Sequence, residues 1–330
     1  MNYYTHKNIV IILVTLVLFS AMGCSSTNNA NRASAKEQAN SASNLAASKQ
    51  ALITSALEEE SNNQWQKAIY FYIQALELAP EDVALLYQVG VLQNRLNNPK
   101  LAMRAFTKAI EIDPQYGPAL GQVGISYLEQ QQLDKARNYL YHAVLYDQQR
   151  LNNADIETAI VPLDQDSPLL AYNAYAVIKD MDNQHTYAQD VFITLLGTQR
   201  NQSLIYTNLG YSYYLTNNYK QAQYYYKKAL DHDPHFKRAK LNLGLIYVRY
   251  GQYNSALRLF KQVMTEAQAY NDIGYLLMLD GRLKESEYFL QTAVELSPSY
   301  YKKGNINLQN TQSYLRQGQT NIALPYQSNQ

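Results

Sequence analysis

Two histidines are the first side chains in this sequence that could carry chemistry. His232 and His235 lie three residues apart, which suits a pair of metal ligands, but they flank the helix-breaking dipeptide Asp233-Pro234. No cysteine and no second histidine pair accompany them. No nucleophile, base and orienting acid form a recognisable set, and no glycine-rich loop follows a strand pattern. The sequence therefore predicts no metal site, no cofactor and no enzyme activity.

A cluster of carboxylates lies in the segment 151–168, which contains no lysine or arginine. Its acidic residues are Asp155, Glu157, Asp164 and Asp166. Three interpretations remain open for the segment: a binding loop, a solvated linker between two subdomains, or the site of a hydrolase or enzyme accessory, because carboxylates serve as general acids and bases.

The single cysteine, Cys24, follows an export-type segment. Lys7 precedes the apolar run 9–19, which at 11 residues is too short for an ordinary membrane-spanning helix. The residues 21–24, Ala-Met-Gly-Cys, resemble the processing site of a bacterial lipoprotein signal, which implies cleavage after residue 23 and acyl chains such as palmitate on Cys24. The alternative is an uncleaved signal anchor with an incidental thiol. The two serines after Cys24 are similar to those of lipoproteins sorted to the outer membrane.

The segment 24–48 is expected to be the lipidated cysteine and a flexible tether. Its composition of Ser, Asn and Ala offers few large apolar residues, so burial cannot offset the entropy of ordering. A flexible chain of this length spans about 27 Å, which would keep the following domain close to its membrane.

The remaining elements are organised around one repeated pattern, which is clearest in the segment 203–234. Its first half has Tyr206, Leu209-Gly210 and Tyr213 on one helical face, and its second half has Ala222, Tyr226, Ala229 and Pro234. Small residues stand where two helices would cross, and Asn217-Asn218 and Pro234 end the helices. This spacing resembles the tetratricopeptide repeat, which implies helical hairpins that bury their apolar faces only by stacking on neighbours.

The same pattern occurs along most of the chain. Units begin at residues 49, 83, 117, 169, 203, 237 and 267, and the period is 34 residues except at the insertion 151–168 and at a four-residue deletion near Val263–Glu266. We expect units 1–3 over 49–150 and units 4–7, the first of them degenerate, over 169–300. A capping helix over 301–316 and a disordered tail over 317–330 complete the chain. The fold class is therefore all-α: a right-handed tetratricopeptide solenoid of about seven hairpins plus a C-terminal capping helix.

The first helix of each repeat lines the concave surface in tetratricopeptide proteins, and this resemblance implies a partner-binding groove here. At matching positions the groove residues are Tyr87, Val91, Asn94, Gln122, Ile125, Asn173, Val177, Thr207, Tyr211, Tyr214, Leu241, Asn242, Leu245, Asn271, Tyr275 and Met278. Such a neutral, amide-rich and aromatic surface suits an extended segment or a partner helix. The 31 tyrosines have a second interpretation, as core residues of a thin solenoid whose hydroxyls stay near water.

The net charge of +1 gives no reason to expect nucleic acid as a partner. The segments 269–282, AYNDIGYLLMLDGR, and 297–308, SPSYYKKGNINL, resemble the TadD-type lipoproteins of the tight-adherence (Flp) pilus system. That resemblance implies a scaffold anchored by lipid at the periplasmic face of the outer membrane, which binds envelope proteins and helps a pilus secretin localise or assemble. An envelope adaptor that docks peptidoglycan hydrolases or other envelope proteins, and a purely structural role, remain alternatives.

Overall fold

The computed structural model describes residues 26–153, 155–297 and 301–318, with side chains from residue 43 onward. The predicted signal peptide, the predicted lipid site Cys24 and the tail after residue 318 lie outside the described residues. The described chain is helical and contains no β-strand, which confirms the all-α prediction. It divides into two compact units, Met1–Pro80 and Glu81–Gln330.

The first unit contains one helical hairpin. Helix α1 spans Ser26–Ser61 and helix α2 spans Trp65–Leu78. Buried alanines, Ala56 on α1 and Ala68 and Ala75 on α2, let the two helices pack closely. The Tyr72 hydroxyl donates a hydrogen bond of 2.6 Å to Glu60 Oε1, which joins α2 to the end of α1.

The structure corrects the expectation of a flexible tether, because residues 26–48 form the first part of helix α1. A shortage of large apolar residues argues against a packed core, but it does not argue against a helix. Seven of these 23 residues are alanine, which has the highest intrinsic helix propensity, and Lys, Glu, Gln, Arg and Leu add further helix formers. Local propensity, continued from the packed part of α1, therefore determines the structure of this segment.

The second unit repeats the hairpin six times and adds a final helix. Its helices are α3 (Val83–Arg95), α4 (Pro99–Ile112), α5 (Gly117–Glu129), α6 (Leu133–Arg150), α7 (Leu169–Met181), α8 (His185–Leu196), α9 (Gln202–Leu215), α10 (Tyr219–His232), α11 (Lys237–Arg249), α12 (Tyr253–Phe260), α13 (Glu266–Leu279), α14 (Leu283–Glu295) and α15 (Lys302–Arg316). Together with α1 and α2, the described chain has the seven hairpins and the C-terminal helix that the repeat pattern predicts.

Within each hairpin the helices approach at a small residue. At Gly210 on α9, an added Cβ atom would lie 2.7 Å from Cε1 of Tyr226 and 3.3 Å from the carbonyl oxygen of Ala222 on α10. Gly244 on α11 likewise faces the ring of Phe260 on α12, which would overlap an added methyl group. The expectation that small residues allow these helices to cross is therefore confirmed.

The turns inside the hairpins need one residue in the left-handed conformation. Asn183 and Asn217 adopt φ values of 61° and 59°, and Gly251 and Gly281 take the same role with 70° and 74°. Asparagine and glycine tolerate this region better than other residues. The Asn218 side chain then accepts a hydrogen bond from the backbone N–H of Gln221 and caps α10, so the break predicted at Asn217-Asn218 is confirmed.

The hairpins of the second unit stack so that their first helices lie side by side. Helix α5 contacts α7, and the contacts continue from α7 to α9, from α9 to α11, from α11 to α13 and from α13 to α15. The first helices form one layer and the second helices another. The deletion near residue 263 shortens α12 to eight residues, and a capping box of Thr265 and Gln268 starts α13 directly afterwards.

The insertion 151–168 forms a folded loop on the array. Gln148 stands where other repeats have proline, so α6 continues to Arg150. Ile156, from the loop, is buried in a hydrophobic cluster that extends from Leu120 on α5 to Leu209 on α9. The helices on either side of the loop therefore share one core, which argues against a linker between subdomains.

Gln148 holds this loop in place. Its side chain is fully buried, and its Oε1 accepts hydrogen bonds from Val161 N–H at 2.9 Å and from Asn153 Nδ2 at 2.7 Å. Its Nε2 donates to the hydroxyl of Tyr172 on α7 at 2.9 Å. That hydroxyl donates in turn to Asp147 Oδ2 at 2.8 Å. One buried amide thus connects α6, the insertion and α7.

Among the described helices, none combines the length and the hydropathy that crossing a lipid bilayer requires.

The close approach at Gly244 predicts a specific cost for a methyl group there. Gly244→Ala should lower the free energy of unfolding by about 1 to 3 kcal/mol, because overlap with Phe260 outweighs the gain in helix propensity. Urea unfolding, followed by circular dichroism, measures it. In the Phe260→Leu background the same substitution should cost at least about 1 kcal/mol less, a difference that a double-mutant cycle reads directly. Equal costs in both backgrounds would contradict the packing account.

The role of Gln148 predicts that its polarity matters more than its volume. Gln148→Leu should lower the free energy of unfolding by about 2 to 4 kcal/mol, since buried partners on the loop and α7 lose their hydrogen bonds. The neighbouring Gln149 is exposed, so Gln149→Leu is a matched control and should change stability by less than about 0.5 kcal/mol. Limited proteolysis should also cut the loop faster in Gln148→Leu. Unchanged stability and cleavage would show that the loop is held by other contacts.

Candidate protein-binding surface

The sixteen residues predicted to form the groove all lie on first helices. Helix α3 carries Tyr87, Val91 and Asn94; α5 carries Gln122 and Ile125; α7 carries Asn173 and Val177; α9 carries Thr207, Tyr211 and Tyr214; α11 carries Leu241, Asn242 and Leu245; α13 carries Asn271, Tyr275 and Met278. Because successive first helices from α5 onward are in contact, the structure places these positions along one layer. Asn94 and Tyr211 are exposed, and eleven others are half-buried.

Three of the sixteen are buried, which corrects their assignment as contact residues. Thr207 and Asn271 are fully buried, and Met278 is nearly so. The Thr207 hydroxyl donates to the carbonyl of Ser203 within its own helix at 2.7 Å. Asn271 Oδ1 accepts a hydrogen bond of 2.9 Å from Asn307 on α15. These side chains lie against neighbouring helices, so they stabilise the stack and do not face a partner.

At the amino-terminal end of this layer, three of the predicted residues surround a small cavity. Tyr87, Gln122 and Ile125 line a space of about 220 Å³, together with Arg200 and Asn201 from the turn before α9. Burial raises the pKa of the Tyr87 hydroxyl, so it stays protonated at neutral pH and can donate a hydrogen bond. The cavity combines aromatic, amide and cationic groups.

In the middle of the layer, a line of hydrogen bonds crosses three repeats. Asn208 Nδ2 donates to Asn173 Oδ1 at 2.7 Å, and Arg238 donates to Asn208 Oδ1 at 3.1 Å. The sequence prediction included Asn173 but missed Asn208 and Arg238. Asn208 and Asn242 occupy the same position, directly before the Leu-Gly pair of their repeats, and that signal could have identified Asn208.

Beside this line lies an aromatic surface held by an arginine. The rings of Tyr211 and Tyr214 on α9 are stacked, with centroids 6.1 Å apart and an interplanar angle of 11°. The Arg249 guanidinium lies 5.4 Å from the ring centroid of Tyr214 and 5.0 Å from that of Tyr219, and its Nε donates to the Tyr214 hydroxyl at 3.1 Å. Cation–π contacts of this kind fix the orientation of the rings. The exposed face of Tyr211 is therefore presented in a defined position.

At the carboxyl-terminal end, α15 completes the layer. Besides the bond from Asn307 to Asn271, Lys303 Nζ lies 3.6 Å from Asp272 Oδ1. The half-buried Tyr275 remains on α13 beside this contact. Helix α15 thus covers the end of the stack with polar residues, as expected for a capping helix.

The carboxylates of the insertion are largely engaged within the chain. Asp164 accepts two hydrogen bonds from Arg150, at 2.7 and 2.8 Å, and this guanidinium holds the pKa of the Asp164 carboxyl well below its usual range. Glu157 Oε2 accepts a hydrogen bond from Lys179 Nζ at 3.2 Å. Asp155 accepts from the hydroxyl of Thr158 at 3.0 Å. An ionised, paired Asp164 is poorly suited to act as a general acid, so this geometry does not favour the hydrolase alternative.

The histidines are also occupied with packing. The ring of His232 stacks on Tyr206, with centroids 5.4 Å apart and an angle of 19°. Across residues 26–153, 155–297 and 301–318, no three His, Cys, Asp or Glu side chains are grouped as metal ligands.

Comparison with known families identifies the repeats. A tetratricopeptide-repeat model matches residues 214–279, and a second one matches residues 83–116 and 267–300. These ranges coincide with hairpins of the second unit. The chain therefore contains tetratricopeptide repeats, and its all-α fold is a tetratricopeptide solenoid. Proteins with this fold bind protein partners on their extended concave surfaces.

Relatives of known name share this architecture at low identity. The protein O-mannosyl-transferase TMTC3 of Homo sapiens is 22% identical over 254 residues, which are 74% of this chain and 27% of TMTC3. The probable UDP-N-acetylglucosamine–peptide N-acetylglucosaminyltransferase SPINDLY of Hordeum vulgare is 22% identical over 206 residues, or 62% of this chain and 17% of SPINDLY. The chain thus spans about a quarter or less of these relatives. Such matches do not establish a transferase activity, and the tetratricopeptide fold itself is typically a non-catalytic scaffold.

Among solved structures, the Cut9–Hcn1 hetero-tetramer of the APC/C is similar with a TM-score of 0.54 and 16% identity. The match covers 78% of this chain and 48% of that one. At this identity the likeness concerns the fold alone.

The line of hydrogen bonds through Asn208 predicts that this residue stabilises the surface on which it lies. Asn208→Leu should lower the free energy of unfolding by about 1 to 2 kcal/mol, because Asn173 and Arg238 lose a shared partner in a nearly buried position. The exposed Asn94 provides the control, and Asn94→Leu should change stability by less than about 0.5 kcal/mol. Chemical denaturation measures both. A cost for Asn208→Leu no larger than that of the control would contradict the role assigned to the line.

Proposed function

We propose that this chain is a lipid-anchored scaffold at the periplasmic face of the outer membrane. It binds partner proteins during the assembly of a pilus or secretion apparatus of the tight-adherence (Flp) type, where it helps the secretin localise or assemble. The anchor in this proposal is the acylated Cys24, and the binding surface is the layer of first helices from α3 to α13.

The observation that carries the proposal is the composition of that layer. It presents the exposed Tyr211 ring beside Tyr214 and Arg249, next to the amides of Asn173 and Asn208. Aromatic rings give large contact areas at low cost in conformational entropy, and amides pair with the backbone of an extended segment. Such a surface supports recognition of a neutral or weakly polar peptide segment of a partner protein.

The choice of a pilus apparatus rests on the carboxyl-terminal segments 269–282 and 297–308, which resemble TadD-type lipoproteins. In this chain the two segments are in direct contact, through the Asn307–Asn271 hydrogen bond and through Lys303, whose Nζ lies 3.6 Å from Asp272 Oδ1. The resemblance therefore falls on residues that form one packed part of the array, and this supports treating it as a property of the fold.

The anchoring step predicts the effect of removing the cysteine. Cys24→Ala should move the protein from the outer membrane to soluble or inner-membrane fractions and should deplete secretin multimers, because a scaffold without acyl chains loses its membrane attachment. Fractionation and semi-denaturing electrophoresis of the secretin measure the two effects. Normal multimers in a mislocalised Cys24→Ala strain would argue against secretin assembly.

The groove is tested separately by a variant that leaves the anchor intact. Tyr211→Glu places a charge on the exposed aromatic surface and should deplete secretin multimers while the protein stays in the outer membrane. Tyr224 on α10 is exposed to a similar degree, 52% against 45% for Tyr211, so Tyr224→Glu is the matched control and should have no effect. Equal effects of the two substitutions would contradict a groove-specific contact.

A further inference from the structure

A second site lies apart from the groove, between α6, the insertion and α7. Here the structure contains a cavity of about 450 Å³. Tyr141 on α6, Glu157 on the insertion and Lys179 on α7 are among its lining residues, whereas none of the sixteen groove residues reaches it. Its volume is within the range of about 300 to 1,000 Å³ that is usual for small-molecule sites.

The floor of the cavity is aromatic and apolar around one ammonium group. Tyr175, Ile178 and Lys179 are buried there, and Lys179 Nζ lies 5.1 Å from the ring centroids of both Tyr175 and Tyr187. The Tyr175 hydroxyl is buried and has no partner in hydrogen-bond geometry, although the hydroxyl of Tyr187 influences it electrostatically. A buried polar atom without a partner is uncommon.

The rim carries paired charges that are only partly saturated. Arg137 donates to both carboxylate oxygens of Asp182, at 3.0 and 2.8 Å, and to Asp134 at 3.1 Å. These three bonds leave two of the five guanidinium N–H groups available. Lys179 uses one of its three N–H groups for Glu157, whose second oxygen is likewise available. Spare donors and spare acceptors therefore surround the same space.

The charges of the lining select against ionic ligands of either sign. Asp134, Glu157 and Asp182 oppose Arg137 and Lys179, so the lining has an excess of one negative charge. An anion would meet that excess, and a cation would meet the Lys179 ammonium on the floor. A hydroxyl group is neutral and both donates and accepts hydrogen bonds, so it can use the spare groups of both kinds.

We propose that this cavity binds a neutral, hydroxyl-rich ligand, namely a sugar unit, with its apolar ring face against Tyr141 and the tyrosine floor. The rim residues Arg137, Asn138, Glu157 and Asp182 bind its hydroxyls. The sugar is either free or the end of a glycan chain, since both present the same groups.

Matched hexoses test the proposal on the full-length protein. Glucose, galactose, mannose and N-acetylglucosamine are the neutral probes, glucuronate and glucosamine are the anionic and cationic ones, and maltotriose represents a chain. Saturation-transfer NMR and calorimetry should show at least one neutral hexose binding with a Kd of about 1 to 10 mM. It should bind more tightly than either charged probe. Tighter binding of maltotriose than of glucose would identify a glycan end, and equal binding a single sugar unit.

Two variants locate the binding. Lys179→Met should weaken it roughly tenfold, because charge-assisted hydrogen bonds are the stronger ones. Lys240→Met changes a lysine buried to a similar extent on another first helix, outside the cavity, and should leave binding unchanged. Asn138 is exposed on α6, so Asn138→Trp should fill the mouth of the cavity, abolish binding and preserve the fold. The circular dichroism of each variant reports its folding.

Three results would overturn the proposal. The first is the absence of binding by every neutral probe up to about 50 mM, a concentration well above the expected Kd. The second is tighter binding of glucuronate or glucosamine, which would make the cavity an ion site. The third is unchanged binding in a folded Asn138→Trp variant, which would place the sugar elsewhere on the chain.

Discussion

The close contact between the two helices of each hairpin is the constraint on which the rest of this structure depends. Gly210 against Tyr226 and Gly244 against Phe260 allow a large ring from the second helix to reach the backbone of the first. A hairpin closed in this way still has an apolar face that it cannot bury alone, so it must stack on its neighbours. Stacking then places the first helices side by side, and their outward residues become one surface. Partner binding in the concave layer is therefore a consequence of packing inside the repeats.

The spacing of a few residues was sufficient to predict most of the fold. Tyr206, Leu209-Gly210 and Ala222 recur at a constant period, and that period predicts the hairpins, the shortened α12 and the capping helix. The expectation for residues 26–48 was wrong because composition was used to judge core formation, whereas alanine-rich local propensity determined the helix. The groove was predicted only in part. Thr207, Asn271 and Met278 are covered by neighbouring helices, while Arg238 and Arg249 reach the surface from the next repeat, and a pattern within one repeat contains neither fact.

The insertion shows how one substitution in a repeat can create a new surface. A proline at the position of Gln148 would end α6, as it does in other repeats. Glutamine lets the helix continue, and its buried amide organises the loop and contacts Tyr172 on α7. The loop brings Glu157 to Lys179 and so forms one wall of the cavity beside α6. The array thus remains continuous in its core and has two chemically different surfaces, an aromatic and amide layer on the first helices and a charge-paired cavity at the insertion.

Hydrogen–deuterium exchange of the full-length protein, with and without the purified secretin, tests the central claim most directly. If the scaffold holds a segment of its partner in the concave layer, peptides from α7, α9 and α11 should exchange more slowly in the complex, with the strongest protection around Tyr211. Peptides from the second helices α8, α10 and α12 should change little, because they lie in the other layer. Protection confined to α8, α10 and α12, or no protection at saturating secretin, would contradict the account.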